Sequence, residues 1–462
     1  MKIAILGFAS QGQSSYNYWN TDNEITICDR DESIKVPAGS SSQLGKDYLK
    51  DLDRFERVIR TPFLHPRDIL AANPESPQIL DKVWSNTNEF LKVCPTKNII
   101  GVTGTKGKGT TSTLITKMLE AAGEKVHLGG NIGTPPLDLL VASSYSQTNS
   151  ETDKMAGTYG AGVMATANQP GIQPTDWVVL ELANFQLIDL KLSPHIGVCL
   201  MVEPEHLDWH EDYDEYVNAK QQLFINQTTD DLAIYYAHNE DSLSVADASE
   251  GRLVPYLKAP GAVIENDIVC IGGKEICKTS DLKLLGKHNW QNVCAAVTAV
   301  WQITQNIEAI ASALTTFSGL EHRLELIREL DGVKYYDDSF GTTPSTAQVA
   351  IEAFSEPKVI ILGGSNKGAT YEHLAKTVAN SNVRAVICVG VTGPAIAEAL
   401  KHASYTNIFE AGNTMPEIVA TAKAQAKSGD IVLLSTGCAS FDLFKNYKDR
   451  GEQFKSAVLT LS

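Results

Sequence analysis

Glycine, lysine and hydroxyl side chains are concentrated in the segment GVTGTKGKGTTS, residues 101–112. Glycines allow backbone N–H groups to turn toward an anion, and a lysine adds a full positive charge. Gly104, Gly107 and Lys108 follow the order Gly-x-x-Gly-Lys, which is typical of phosphate-binding loops. The segment therefore predicts a phosphate cradle in which Lys108 contacts the phosphate.

The cradle departs from the usual phosphate loop at one position. In that loop the lysine is followed directly by Ser or Thr, whose hydroxyl binds Mg²⁺. Here Gly109 follows Lys108, and Thr110 comes one place later. We therefore expect the metal-binding hydroxyl to be that of Thr110, displaced by one residue.

A strand and a helix must hold the cradle in place. Residues 98–102 form a short apolar run, which predicts a buried strand. Residues 111–122 predict an amphipathic helix, because apolar residues recur at helical spacing: Leu114, Ile115, Met118 and Leu119. The cradle then lies at a helix N-terminus, whose partial positive charge favours an anion.

Two further apolar runs of the same region carry candidate metal ligands. DWVVLELANFQL places Glu181 at the end of a predicted strand, and GVCLMVEPEHLDWH carries His206 in an acidic cluster. Projected from neighbouring strands, the two side chains could hold Mg²⁺, although imidazole is a less usual magnesium ligand than oxygen. Taken singly, Glu181 could equally be a capping carboxylate and His206 a structural histidine.

A predicted amphipathic helix, DYDEYVNAKQQLF, follows these runs. Tyr216 and Lys220 lie four residues apart and therefore share one helix face. A lone lysine on a helix is usually a solvated charge. Spacing alone predicts that Lys220 is solvated.

Composition limits the class of protein. A chain of 462 residues with 43% hydrophobic content exceeds a single core and predicts two to four domains. The formal net charge of -16 argues against a nucleic-acid partner. The sequence has neither a run of about 18 apolar residues nor a signal peptide, so membrane insertion is not expected. Eight scattered cysteines without a Cys-x-x-Cys pair predict reduced thiols in a cytoplasmic protein.

Three α/β blocks organise the chain. The first, from KIAILGFASQG to a strand ending in Asp29, predicts a Rossmann-like domain, but Ala9 replaces the middle glycine expected for bound NAD. The second contains the cradle. The third alternates helices with three β-rich runs: KVIILGGSNKG, VRAVICVG and DIVLLSTGCAS. Such alternation predicts parallel sheets covered by helices, and the polar residues 143–173 predict a mobile surface insertion.

Nine segments occur in the order found in the Mur ligases: GVTGTKGKGTT, GGNIGTP, LELANFQL, EHLDWHEDYDEYVNAK, GKHNWQN, LEHRLELI, YYDDSFGTTP, ILGGSNKGA and LLSTGCASFDLFKNYKDRGEQF. The chain thus resembles the Mur ligase family over nearly its whole length. The resemblance implies three α/β domains. They are a Rossmann-like UDP-binding domain over 1–94, a central P-loop ATPase over 95–318, and a Rossmann-like amino-acid-binding ligase domain over 319–462.

The resemblance also implies an activity. The closing CASFDLFKNYKDRGEQF is most similar to family members that use ATP to add D-glutamate to UDP-N-acetylmuramoyl-L-alanine through an acyl phosphate. The implied protein is cytoplasmic, monomeric and active in peptidoglycan precursor synthesis. Two alternatives remain. Lys108-Gly109-Thr110 also resembles the folylpolyglutamate synthetases, which suggests a different carboxylate acceptor, and a nonenzymatic nucleotide-regulated binding protein is the other alternative.

Individual site residues are carried over from the same motifs. ATP would contact the cradle and four further residues: Gly104, Thr105, Lys106, Gly107, Lys108, Gly109, Thr110, Thr111, Asn289, Asn292, Arg323 and Asp338. Two Mg²⁺ ions would be held by Thr110, Glu181, His206 and Lys220, with Lys220 as a carbamate. The implied catalytic set is Lys108, Glu181, His206 and Lys220.

Substrate contacts are implied in the same way. The UDP moiety would lie near Ser10, Gln11 and Asp29, and the muramoyl group near Asn131. The D-glutamate pocket would be formed by Thr342, Lys367, Ser440 and Tyr447.

The chain departs from the common family motifs at two places. Phe340 replaces the lysine of D-S-K-A-T-N-P, which leaves Lys367 as the principal cation for glutamate. Ala183 and Asn184 replace the serines of E-L-S-S-F-Q-L, one of which is expected near the muramoyl group. The sequence therefore does not predict the stereochemistry of the glutamate.

Overall fold

The computed structural model describes residues 1–131, 133–140, 171–284, 286, 289–365 and 369–462. Most of the insertion expected at 143–173 lies outside these residues, and so does Lys367. The described residues form two compact units: unit 1 ends at Phe317, and unit 2 consists of Ser318–Ser462 with Leu284 and Gly286. The domain bounds 1–94, 95–318 and 319–462 stay a prediction.

The N-terminal part of unit 1 is built on a five-stranded parallel sheet, as expected for a Rossmann-like region. Its elements are β1 (Lys2–Leu6), α1 (Ser10–Trp19), β2 (Glu24–Asp29), β3 (Ser41–Leu44), β4 (Arg57–Arg60), α2 (Pro66–Ala72), β5 (Val83–Ser85) and α3 (Asn86–Val93). The strand order is β3-β2-β1-β4-β5, and all pairs are parallel. The glycine turn after β1 is tight, because a Cβ on Gly12 would lie 2.0 Å from the carbonyl oxygen of Gly7.

A six-stranded parallel sheet forms the central part of unit 1. Its elements are β6 (Ile99–Thr103), α4 (Lys108–Ala121), β7 (Val126–Gly130), β8 (Trp177–Glu181), α5 (Asn184–Leu187), β9 (Ile196–Cys199), α6 (Tyr213–Gln221), β10 (Leu232–Tyr236), α7 (Glu240–Ala246) and β11 (Arg252–Tyr256). The strand order is β11-β10-β9-β6-β8-β7. The sequence suggested that the strands associated with Glu181 and His206 are neighbours. The structure shows that they are not, because β6 lies between β8 and β9 and pairs with both.

A small antiparallel sheet and two helices complete unit 1. The sheet consists of β12 (Val263–Glu265), β13 (Ile268–Ile271) and β14 (Lys274–Lys278), and the helices are α8 (Asn289–Trp301) and α9 (Ile307–Thr316). Helix α4 packs against both α8 and α9. The helix that follows the cradle is therefore held by two other helices.

Buried polar contacts join the N-terminal and central parts of unit 1. Arg60, at the end of β4, has a fully buried side chain and donates from Nε to Asp189 Oδ2 at 2.9 Å. Its guanidinium also donates to the carbonyl of Phe185 at 3.0 Å. The hydroxyl of Ser14 in α1 donates to Asp138 at 2.7 Å. Because buried charges are retained only when they are paired, these contacts fix the two sheets to each other.

Unit 2 is a second α/β region around a six-stranded sheet. Its elements are β15 (Glu325–Leu330), β16 (Val333–Asp337), α10 (Pro344–Glu352), β17 (Lys358–Gly363), α11 (Glu372–Ala379), β18 (Val383–Val389), α12 (Gly393–His402), β19 (Ile408–Glu410), α13 (Met415–Gln425), β20 (Ile431–Leu434) and α14 (Tyr447–Leu459). The order is β15-β16-β20-β17-β18-β19, and only the β15–β16 pair is antiparallel.

Helices cover both faces of this sheet. Along β17, Val359 and Ile361 belong to one apolar core, whereas Ile360 and Leu362 belong to the other. This alternation follows from the two-residue period of a strand and explains why the run is apolar throughout. Among the helices in the described part of the chain, none is long and apolar enough to cross a lipid bilayer.

Candidate active site

The predicted cradle is a turn between β6 and α4. The helix begins at Lys108, three residues before the predicted start at Thr111. Gly104 has φ +139° and Gly107 has φ +87°, and both values favour glycine. A Cβ on Gly107 would lie 2.1 Å from Asn292 Oδ1, so a side chain there would also clash. Both glycines are thus required by the path of the turn.

Thr105 anchors the middle of the cradle. Its hydroxyl lies 2.7 Å from the hydroxyl of Tyr216 and accepts from the amide of Glu203 at 2.9 Å. Its own amide donates to the carbonyl of Met201 at 2.8 Å. The neighbouring Lys106 is exposed and lies 3.7 Å from the Glu203 carboxylate. The two predicted ATP contacts therefore differ, because Thr105 is buried and held by hydrogen bonds, whereas Lys106 lies at the surface.

The ammonium group of Lys108 lies against the cradle. It donates to the carbonyl of Gly104 at 2.8 Å and to that of Thr105 at 3.0 Å. The next two predicted contacts, Thr110 and Thr111, are buried in the first turn of α4, as is Gly109. Lys108 is thus placed with a helix N-terminus beside it, which is the electrostatic arrangement that favours phosphate.

Asn292 of α8 reaches the same turn. Asn292 lies 3.5 Å from the hydroxyl of Thr111 through Oδ1, and its amide donates to Asn289 Oδ1 at 2.8 Å. The structure therefore brings Asn292, which is 181 residues from Thr111 in sequence, to the cradle. Asn289 contacts Asn292.

Lys220 is buried, not solvated as spacing alone predicted. The residue is 1% exposed, and its ammonium lies 4.2 Å over the Tyr216 ring and donates to the carbonyl of Gly104 at 3.3 Å. Burial, and then repulsion by Lys108, lower the pKa of Lys220 to about 7. The spacing argument was wrong because the face of α6 that carries Tyr216 and Lys220 packs inward against the cradle.

Glu181 ends β8 and is 2% exposed. The side-chain amide of Asn131 donates to Glu181 Oε1 at 2.9 Å, and the backbone amide of Asn131 donates to the Glu181 carbonyl at 2.7 Å. A predicted metal ligand and a predicted muramoyl contact are therefore adjacent.

His206 lies in the loop after β9, the strand that was predicted to deliver it. It has φ +58°, and its ring centroid lies 4.8 Å from that of Phe185. Its side chain is 39% exposed. Burial lowers the pKa of His206, and this favours the neutral imidazole that can bind a metal.

The predicted UDP contacts cluster at the first turn of the N-terminal sheet. Ser10 begins α1, and the side-chain amide of Gln11 donates from Nε2 to the Gly130 carbonyl at 3.5 Å. Gln11 Oε1 is buried and accepts no hydrogen bond from the residues described. Asp29 ends β2 and accepts from the amide of Phe8 at 2.7 Å.

Unit 2 brings several of the remaining site residues together. The guanidinium of Arg323 lies 5.7 Å over the Phe340 ring, and Phe340 meets Tyr447 edge to face at 5.3 Å. Asp338 is buried, accepts from the Ser435 hydroxyl at 2.6 Å, and has its pKa raised to about 7 by burial.

The two other predicted pocket residues of unit 2 lie in loops. Thr342 is half-buried just before α10. The Ser440 hydroxyl is buried, and among the described residues it has no hydrogen-bond partner.

Sequence reasoning missed a hydrogen-bonded set beside His206, in which Glu215 is half-buried and the other members are buried. It consists of Asn184 in α5, His210, Glu215 in α6 and His65 before α2. The spacing of His206 and His210, four residues apart in an acidic segment, is the one sequence signal that could have drawn attention to it.

Comparisons with known proteins agree with this architecture. A family model described as Mur ligase middle domain matches residues 102–300, and one described as Mur ligase, glutamate ligase domain matches residues 322–438. The chain is 36% identical to UDP-N-acetylmuramoylalanine--D-glutamate ligase of Clostridium kluyveri, covering 90% of this chain and 85% of that protein. It is 34% identical to the Clostridium tetani enzyme of the same name, covering 100% and 97%.

A solved structure shows a similar fold at low identity. UDP-N-acetylmuramate-alanine ligase MurC from Thermotoga maritima superposes with a TM-score of 0.56 at 16% identity, covering 100% of this chain and 99% of that chain. The similarity in fold therefore includes the residues of both units.

Proposed function

The chain belongs to the Mur ligase family, and we infer that it is an ATP-dependent ligase that adds D-glutamate to UDP-N-acetylmuramoyl-L-alanine in peptidoglycan precursor synthesis. The observation that carries this conclusion is the similarity to two D-glutamate ligases, which are matched over 85% and 97% of their length. The cradle supports the ATP half of the reaction, since Gly104, Gly107 and Lys108 lie in a glycine turn at a helix N-terminus, an arrangement that favours phosphate.

The reaction must first activate a carboxylate. The carboxylate oxygen of the alanyl group attacks the γ-phosphorus of ATP, ADP leaves, and an acyl phosphate results. The amine of D-glutamate then attacks the carbonyl carbon, loses a proton and expels inorganic phosphate to form the amide. Lys108 would stabilise negative charge on the transferring phosphoryl group, for which positioning and electrostatics supply most of the catalysis.

The donor set around the cradle fits Mg²⁺. Thr110 and Glu181 offer oxygen, His206 offers a neutral imidazole, and Lys220 would offer oxygen as a carbamate. Bound Mg²⁺ would neutralise phosphate charge during transfer. The protein would orient the ligand oxygens through its own hydrogen bonds. Asn131, for example, donates to the Glu181 carboxylate.

We propose that Lys220 is carbamylated. A lysine with a pKa of about 7 is partly neutral at physiological pH, and a neutral amine attacks CO₂. The nitrogen–carbon bond forms, a proton leaves and an anionic carbamate results. This change would replace repulsion between Lys220 and Lys108 with attraction.

Substrate contacts, assembly and location are part of the same proposal. Ser10, Gln11, Asp29 and Asn131 would contact the nucleotide-linked substrate, and the D-glutamate pocket would contain Thr342, Lys367, Ser440 and Tyr447. The buried, available hydroxyl of Ser440 supports the pocket. We also propose a monomer in the cytoplasm. All eight cysteines are free thiols, as a reducing compartment requires.

Product formation tests this function. The full chain is incubated with ATP, Mg²⁺, UDP-N-acetylmuramoyl-L-alanine and each of a panel of amino acids, and phosphate release and the new amide are measured. We expect release with D-glutamate and much less with L-glutamate. Release with a folate acceptor in place of the nucleotide-linked one would contradict the proposal, as would ligation of another amino acid in preference to D-glutamate.

A further inference from the structure

The turn that carries His206 has an unfavourable backbone conformation. A φ of +58° is uncommon for a residue with a Cβ, and such conformations persist where surrounding contacts impose them. The amides of Trp209 and His210 both donate to the carbonyl of His206 at 3.0 Å. The conformation of His206 therefore depends on what holds residues 209 and 210.

His210 is held through both ring nitrogens. It is 3% exposed, and its Nδ1 lies 3.0 Å from Glu215 Oε2. A carboxylate accepts, so Nδ1 carries the proton and donates. Nε2 lies 2.7 Å from the amide nitrogen of Asn184, which can only donate, so Nε2 accepts. One neutral tautomer satisfies both contacts, and Asn184 is the residue that completes it.

Glu215 links this contact to the N-terminal part of unit 1. Its Oε2 also accepts from the amide of Glu211 at 2.9 Å and from His65 Nε2 at 3.3 Å. His65 Nδ1 accepts from the amide of Arg67 at 3.1 Å, so the proton of His65 lies on Nε2. His65 and His210 thus both use the nitrogen facing Glu215 as a donor. Because both of these nitrogens carry a proton, neither has a lone pair to offer a metal ion. The three side chains therefore form a hydrogen-bonded set and not a metal site.

Trp209 is clamped by neighbouring rings. Its ring centroid lies 4.3 Å from that of His65 and 4.8 Å from that of Phe185. Its indole nitrogen donates to the Phe63 carbonyl at 3.0 Å, and Arg67 donates to the Trp209 carbonyl. These contacts hold the half-buried Trp209 and thereby restrict the turn.

We propose that Asn184 is a positioning residue for His206, because its hydrogen bond to His210 fixes the turn that presents the His206 imidazole to the metal. This inference rests on the proposed role of His206 as a metal ligand. Asn184 is 3% exposed, and its side-chain nitrogen lies 2.7 Å from His210 Nε2.

Equilibrium metal binding tests the role of Asn184. Mn²⁺ replaces Mg²⁺ as a spectroscopic probe, and its Kd is measured by electron paramagnetic resonance on the full chain with a nonhydrolysable ATP analogue. Asn184→Leu keeps the side-chain size but removes the donor, and we expect the Kd to rise about tenfold, as for other residues that orient metal ligands. Asn218→Ala, an exposed asparagine on α6, is the matched control and should leave the Kd unchanged.

Thermal unfolding of the same samples separates positioning from stability. If Asn184→Leu does not fold, Asn184→Ala is measured in its place. A Kd within twofold of wild type in a folded Asn184 variant, with or without a lower Tm, would overturn the inference. His206→Ala tests the proposed role of His206 separately from the inference about Asn184. If His206→Ala weakens Mn²⁺ binding and the Asn184 variants do not, only the inference about Asn184 fails. If it binds Mn²⁺ as wild type does, the proposed role of His206 fails and the inference with it.

Discussion

Lys220 in unit 1 and Arg450 in unit 2 are both buried cations, each 1% exposed, but their surroundings differ. Lys220 donates to one carbonyl at 3.3 Å, and Lys108 repels it. Arg450 donates to Ser339 Oγ and to the Ser339 carbonyl, both at 2.8 Å, and to the Cys438 carbonyl at 3.1 Å. Burial lowers both pKa values, that of Lys220 to about 7 and that of Arg450 to about 10. At neutral pH Arg450 therefore keeps its charge, and Lys220 partly loses it.

The difference shows how acceptors decide the role of a buried cation. Arg450 joins the loop after β16, the Cys438 loop and α14, and the Ser339 hydroxyl extends the network by donating to the Tyr447 carbonyl at 2.7 Å. A cation satisfied in this way is structural. Lys220 has less to stabilise its charge, so it is the better candidate for chemistry on nitrogen.

The largest effect on turnover is expected from substitution of Lys108, the cation that repels Lys220. Lys108→Ala should reduce turnover about a thousandfold, because it removes a charge aimed at the transferring phosphoryl group. The variant should remain folded, since Lys108 is the first residue of α4 and its side chain is only half-buried. Phosphate release measures the rate and circular dichroism the fold.

Lys117→Ala is the control for Lys108. Lys117 lies on the same helix but is 54% exposed and pairs with Glu120 at the surface. It should retain the wild-type rate. Near-normal turnover in Lys108→Ala would exclude the cradle lysine from the mechanism.

Substitution of Arg450 and of Lys220 by Met should change the free energy of unfolding differently. Arg450→Met should lower the free energy of unfolding by about 3 kcal/mol, because buried acceptors on Ser339 and Cys438 lose their donor. Lys220→Met should leave the free energy of unfolding unchanged or raise it, because it removes a poorly satisfied buried charge. Urea unfolding of both variants measures the difference. Equal losses would show that Lys220 is as well stabilised as Arg450.

Contiguous motifs were predictable from the sequence. The cradle between β6 and α4 was predicted because strand, glycines and helix are adjacent in the chain. The parallel sheets were predicted because apolar runs alternate with amphipathic helices. The position of Glu181 at a strand end was predicted for the same local reason.

Features set by contacts between distant segments were not predictable. Strand order does not follow chain order, so the sequence did not place β6 between β8 and β9. Spacing alone favoured a solvated Lys220, because spacing along a helix defines a face but does not show what packs against it. The bonds of Asn184 to His210 and of Arg450 to Ser339 span 26 and 111 residues, respectively, which no local pattern reveals.

Loss of the Lys220 side chain should reduce turnover by about a hundredfold, less than loss of Lys108. If Lys220 acts as a carbamate, formate or acetate should restore part of the activity of Lys220→Ala by occupying the vacated anionic site. Initial rates across carboxylate concentrations measure this recovery. Wild-type turnover in Lys220→Ala without added carboxylate would show that the lysine contributes no metal ligand.

The stability of the wild type in CO₂-free buffer should also depend on pH through Lys220. The pKa of Lys220 is about 7 in the folded chain and near its ordinary value of 10.5 when unfolded. Between these values the unfolded chain binds more protons, so the free energy of unfolding should rise as pH increases from about 7 to about 10.5. The Lys220→Met variant should lack this contribution, and urea unfolding at several pH values would reveal it.

The smallest effect is expected at Arg323, an exposed cation that contacts a ring. Its guanidinium lies over Phe340, and a cation–π contact at an exposed site contributes about 0.5–1 kcal/mol. Phe340→Leu should therefore raise the KM for ATP about two- to fivefold if Arg323 contacts the nucleotide as proposed, since the guanidinium loses its support. Phe340→Tyr keeps the ring and should match the wild type. If the KM for glutamate rises and that for ATP does not, Phe340 acts through Tyr447 on the amino-acid pocket, and the ring does not serve to hold Arg323.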